Sequence, residues 1–88
     1  MNTAFLLMAQ YNGQAIIPLE LVCRDYFNLT VDQFQRKALA GDIRLPIVRM
    51  GTGQKAAKGI HLTDLAAHID ERRAAAVREC ETLNRRSA

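Results

Sequence analysis

The 88-residue chain has no tryptophan, few other aromatics, and two cysteines, Cys23 and Cys80, that stand far apart with no CxxC or Cys/His spacing. That excludes a disulfide framework and a zinc site. Cys23 reads as a small core residue and Cys80 as part of an apolar helix stripe, and both suit a reducing compartment. Long hydrophobic runs are missing too. The N-terminal stretch Phe5-Leu6-Leu7-Met8-Ala9 is too short to span a membrane and lacks the preceding positive charges of a signal peptide. A cytoplasmic location without membrane contact is expected. No repeat, low-complexity tract or linker interrupts the chain, so residues 1–88 are expected to form one domain.

Chemistry is missing as well. The two histidines, His61 and His68, lie seven apart across an expected strand-to-helix boundary, with no nucleophile motif or acid pair at useful spacing. His61 is expected to pin the strand to the last helix and His68 to face solvent. Gly51-Thr52-Gly53 resembles the start of a phosphate loop, but Gln54-Lys55-Ala56 follows where Gly-Lys-Ser/Thr is required. Neither an enzyme nor a bound cofactor is expected.

The charges that are present are unevenly placed. Twelve Lys plus Arg stand against nine Asp plus Glu, a net +3. Between Thr30 and Leu62 six bases (Arg36, Lys37, Arg44, Arg49, Lys55, Lys58) face two acids (Asp32, Asp42), and no acid occurs from Ile43 to Thr63. The rest of the chain is slightly acidic. A one-sided excess of this kind suits a polyanion; a solvated surface of uneven charge is the bland alternative.

Residues 4–11 are rich in helix formers, with Thr3 as cap and Gly13 as stop. The competing reading is a hairpin turning at Asn12-Gly13 with Gln14–Ile17 as the returning strand. Either way the segment is almost wholly apolar and must be buried, against the core or another subunit. Pro18 suits a first helical turn, and Leu19, Val22, Cys23 and Tyr26 recur at helical spacing on one inward face, predicting a helix from Pro18 to about Phe27. After a tight turn at Asn28-Leu29 comes the clearest start signal. Thr30-Val31-Asp32-Gln33 is a capping box, flanked by Leu29 and Phe34 at the staple positions. Gly41 is the left-handed stop, giving a second helix over 31–40. Residues 45–50 read as a strand that Pro46 confines to an edge, residues 51–59 as a basic loop, and residues 60–62 as the returning strand. Thr63-Asp64 opens a long last helix.

The expected architecture is therefore mainly α with a small β-hairpin. It is a winged helix-turn-helix (18–41) with a wing hairpin (44–62), an N-terminal apolar segment and a long C-terminal helix (63–86). Projected at about 100° per residue, Val31, Phe34 and Ala38 face inward while Gln33, Arg36, Lys37 and Ala40 cluster outward. Arg pairs bidentately with guanine and Gln with adenine in the major groove. Lys37 and Gln35, nearer the flanks, suit phosphates, and Ala40 leaves room for close approach or meets a thymine methyl. The same pattern would also serve an ordinary solvated helix; the preceding helix, tight turn and basic hairpin favour DNA. Candidate contacts are Thr30, Gln33, Gln35, Arg36 and Lys37 on the helix and Arg44, Arg49, Lys55 and Lys58 around the wing. Gly51, Gly53 and Gly59 are expected to let backbone approach a sugar-phosphate strand. In the last helix Ile69, Ala76, Cys80 and Leu83 approximate a short a/d seam broken at Arg73, with Glu81 and Arg85 as a supporting i, i+4 pair.

These residues also carry a resemblance. NTAFLLMAQY, GQAIIPLE, VC with DYF, AGDI with LP, and QKAAKG followed by DLA resemble the pyocin activator protein family (PrtN) over nearly the whole chain, to about Cys80. The resemblance implies promoter binding at short upstream DNA elements and activation of a cell-lysis and bacteriocin programme after DNA damage in pseudomonads. More distantly, residues 16–70 look like the excisionase or MerR winged-helix type, which implies that Gln33, Arg36 and Lys37 lie on the recognition helix. A sequence-specific DNA-binding activator is the expectation, with promoter DNA and RNA polymerase as partners and a homodimer joined through its terminal segments. The alternative is an adaptor or anti-repressor using the same fold without DNA.

Overall fold

A computed structural model describes residues 2–53 and 55–87, residues 86 and 87 by backbone only. Gln54, part of the basic loop, lies outside the described residues. The first element is helical, not a hairpin: α1 spans Thr3–Gln10. Its cap is Asn2, one residue earlier than expected, whose side chain accepts from the Phe5 N–H at 2.9 Å. Thr3 instead donates its hydroxyl to Asp70, tying α1 to the last helix. Asn12 and Gly13 take positive φ and end the segment.

Strand β1, Ile16–Pro18, follows and pairs with the distant strand β3, Lys58–His61. The sequence reading assigned Pro18 to a helix and allowed a strand here only in the competing hairpin, over Gln14–Ile17 and paired with residues 4–11 instead of β3. A three-residue strand leaves almost no alternation to detect, and its partner is remote in sequence. Strand β2 is shorter than expected, Val48–Arg49, because Pro46 has no N–H to donate and Leu45 turns into the core. The sheet is antiparallel in the order β1-β3-β2, with Ile17 opposite Ile60, Pro18 opposite Gly59, and Arg49 opposite Lys58. Both prolines thus sit at or beside edge strands, where a missing donor costs no ladder bond. Gly59 is buried at the centre. A Cβ there would collide with the Ile17 carbonyl and the Ile16 side chain, so this glycine serves the β1 contact and not a DNA backbone.

Helix α2, Leu19–Val22, continues as a π-helical turn over Cys23–Phe27 and closes at Asn28 in the left-handed region. The i+5 bonding of the π turn widens the spiral. The inward position after Val22 and Cys23 is therefore Phe27, while Tyr26 turns out to solvent at 38% exposure. Helix α3, Val31–Leu39, forms as its signals require. Thr30 accepts from the Gln33 N–H, and Gln33 accepts from the Thr30 N–H. At its other end, Gly41 (φ +83) lets Asp42 donate to the Lys37 carbonyl and Gly41 to that of Ala38, a Schellman closure. Phe34 points straight into the core, edge-on to Phe27 at 5.0 Å.

Helix α4, Leu62–Ser87, starts where His61 Nδ1 accepts from the Thr63 N–H at 3.1 Å, so His61 does join strand to helix. His68 does not face solvent freely: it is half-buried with its ring 5.5 Å from Phe27, on the face that the π turn covers. The core gathers Leu7, Ile17, Leu19, Val22, Cys23, Phe34, Ile60 and Leu65, with no buried polar residue among those described. From residue 70 to residue 85 nearly every side chain of α4 is exposed. Glu81 and Arg85 do not close into a pair, as is common for solvated charges that gain little by meeting. Only Leu7 of the run 5–8 enters the core; Phe5, Leu6 and Met8 stay outside at 62%, 54% and 43% exposure.

Candidate nucleic-acid interface

The outer surface of α3 is set by its caps and by Phe34. With Phe34 buried and Val31 and Ala38 half-buried, helical geometry turns Arg36 and Lys37 outward, and both are exposed. Thr30 is exposed at the helix start. Its hydroxyl oxygen accepts from Gln33, which leaves the hydroxyl proton free to donate. Gln33 is exposed as well, but its carboxamide oxygen is held at the cap, 3.0 Å from the Thr30 nitrogen. Capping and bidentate adenine pairing both draw on that oxygen, so Gln33 must leave the cap to read a base. The capping box was itself the sequence signal for this competition.

The hairpin lies alongside α3. Gln35 and Leu39 of the helix line one groove of about 560 Å³ together with Ile47, Arg49 and Lys58. A second hollow, nearer the helix start, joins Val31 to Lys55 in the hairpin loop and Lys58 at the start of β3. Gln35, Arg49, Lys55 and Lys58 are thereby brought to one flank of α3, with Arg36 next to it. Gln33 and Lys37 lie round the other side of the helix. Arg44, exposed in the loop before β2, lines neither hollow. Glu20 borders the second hollow, an acid the linear charge map had no means of placing beside the tip.

Met50 N–H donates to the Ala57 carbonyl at 2.9 Å and Ala56 N–H to that of Gly53 at 3.1 Å. None of the six basic side chains from Arg36 to Lys58 engages another described residue in an ion pair or hydrogen bond. The one ion pair among the described residues is Arg24–Asp25 at 2.8 Å, elsewhere on the surface.

That second polar cluster was not read from the sequence. Asp25 accepts from Arg24 and, at 2.7 Å, from the Tyr11 hydroxyl; Gln10 bonds both Tyr11 and Tyr26. The bond from Arg24, then that from Tyr11, holds the Asp25 carboxyl below the usual aspartate value. Burial and the Asp25 bond push the Tyr11 hydroxyl well above its ordinary value. The cluster fastens the end of α1 to the π turn.

Among the described residues no group of His, Cys, Asp and Glu could hold a metal, and no helix is long and apolar enough to cross a membrane. Residues 3–76, from the start of α1 into the exposed part of α4, match the family model described as pyocin activator protein PrtN. The chain belongs to that family. No curated protein and no solved structure matches it. Membership of the pyocin activator family is regulatory, not enzymatic, and ties the chain to the activation of pyocin genes. The match includes α3, the hairpin and the Tyr11–Asp25 cluster, and leaves out the last turns of α4.

Proposed function

We propose that this pyocin activator protein binds promoter DNA directly and sequence-specifically, with α3 in the major groove and the hairpin on the neighbouring backbone. The observation that carries this reading is an exposed, doubly capped helix bearing Arg36 and Lys37, with Arg49, Lys55 and Lys58 on its flank and none of these basic side chains bonded to a described residue. A major groove about 12 Å wide accepts one helix. Arg36 is the base reader. Lys37, Arg44, Arg49, Lys55 and Lys58 neutralise phosphates, with Thr30 and Gln35 as neutral donors at the helix edges. The protein acts in the cytoplasm with RNA polymerase as its further partner.

Self-association belongs to the same reading. Phe5, Leu6 and Met8 stand exposed together on α1, which packs on α4, and a chain this small gains from covering such a face with a second copy. The dimer would take a repeated or inverted site at helical-turn spacing.

The test is a gel-shift series on promoter and scrambled duplexes at several salt concentrations. Arg36→Ala loses selectivity, by about 1–3 kcal/mol of discrimination. Lys58→Ala weakens both duplexes alike and lowers the salt slope by about one unit. Equal losses on both DNAs for both variants contradict that division, and binding indifferent to salt favours a protein adaptor.

A further inference from the structure

Leu39 is the most exposed large apolar side chain among the described residues, at 89%. It sits in the last turn of α3, one helical step from Arg36 and on the flank that faces the hairpin. A duplex that touches both α3 and the hairpin has to lie across the groove between them. The helix edge it meets then runs through Arg36, Leu39 and Gln35, and not through Gln33 and Lys37. On the helix projection Leu39 lies about 60° from Arg36, whereas Lys37 lies about 160° from Leu39 on the far side.

We infer that Leu39 is a specificity-determining residue that packs on a thymine C5-methyl in the major groove, beside the base pair read by Arg36. This rests on the DNA-binding reading above and narrows it. The occupant is fixed by charge and shape. Arg49 and Lys58 line the same groove and suit the phosphates bordering a base edge. No acid lies between Ile43 and Thr63 on the hairpin side. An aliphatic side chain has no hydrogen bond to offer a base, and the thymine methyl is the one apolar feature the major groove presents.

The experiment uses the full chain and a duplex site selected by it from a random-sequence library. Each thymine of that site is replaced in turn by deoxyuridine, which removes the methyl and nothing else. Wild-type protein should lose about fourfold in affinity at one or two positions, the worth of one buried methyl. Leu39→Ala should bind the parent site more weakly and be indifferent to uracil at those same positions. Lys37→Ala should keep the full uracil sensitivity. Because Leu39 touches little of the core, its variant is expected to fold, and unchanged thermal unfolding checks that.

Two results overturn the inference while leaving DNA binding intact. One is a Leu39→Ala protein as sensitive to uracil as wild type. The other is a variant that binds like wild type yet fails to activate transcription, which assigns Leu39 to a protein partner. A library from which no sequence is selected overturns the DNA reading itself.

Discussion

The half of the molecule built from α3 and the hairpin differs from the half built from α1 and the π turn in what its polar groups do. Around α1 they are spent on one another: Arg24, Asp25, Tyr11, Gln10 and Tyr26 form a closed chain of bonds. The apolar residues there are not all spent, since Phe5, Leu6 and Met8 face outward. Around α3 the pattern reverses. Backbone ends are sealed by the capping box and the Schellman closure, while the basic side chains bond to no described residue. A surface whose charges are already paired is a joint; one whose charges are unpaired is available to a partner. The first half offers an apolar face suited to another protein surface, the second a cationic one suited to a polyanion.

The largest expected effect tests whether the two halves are one folding unit. Phe34→Ala removes a fully buried ring that meets Phe27 of the π turn and should cost about 3–5 kcal/mol. In urea titrations, fluorescence of Tyr11 and Tyr26 should follow the same destabilised transition as helical circular dichroism. Separate midpoints would divide the halves. Next, Thr30→Ala opens only the α3 end and should cost about 0.5–2 kcal/mol, with amide exchange rising in α3 and not in α1. Equal rises in both would remove the distinction drawn here.

A smaller effect comes from Asp25. Its carboxyl is held below the ordinary aspartate value by Arg24 and Tyr11, so its contribution is present at neutral pH and fades as pH falls through that depressed range. Asp25→Asn should flatten the acid limb of the stability curve and loosen α1 while leaving α3 unchanged. Smallest of all in stability is the pair Phe5→Ser and Leu6→Ser, expected within about 0.5 kcal/mol because both side chains are already exposed. Sedimentation velocity should nonetheless show less self-association. An unchanged sedimentation profile would leave the apolar face without a second copy to cover it.

How much of this was legible in the sequence follows from the range of each interaction. Local signals were read correctly at the capping box of Thr30–Gln33, the stop at Gly41 and the long last helix. The hairpin forms with its strands at 48–49 and 58–61 instead of 45–50 and 60–62, and residues 4–11, open between helix and strand, are helical as far as Gln10. Tyr26 went wrong because one π turn shifts the inward face by a residue, and nothing in the residue types marks that shift. Strand β1, the His68–Phe27 contact and Glu20 beside the hairpin tip depend on partners remote in sequence. The Tyr11–Asp25 cluster is of the same kind. Gln33 differs, since both of its roles were visible and only the geometry decided which one the free protein adopts.

Backbone amide NMR during titration with the selected duplex tests the central claim most directly. Shifts concentrated over residues 30–44 and 48–58, leaving residues 3–11 and the Tyr11–Asp25 cluster in place, are the expected result. Shifts concentrated on α1 and the exposed stretch of α4, with α3 and the hairpin unmoved, would contradict it.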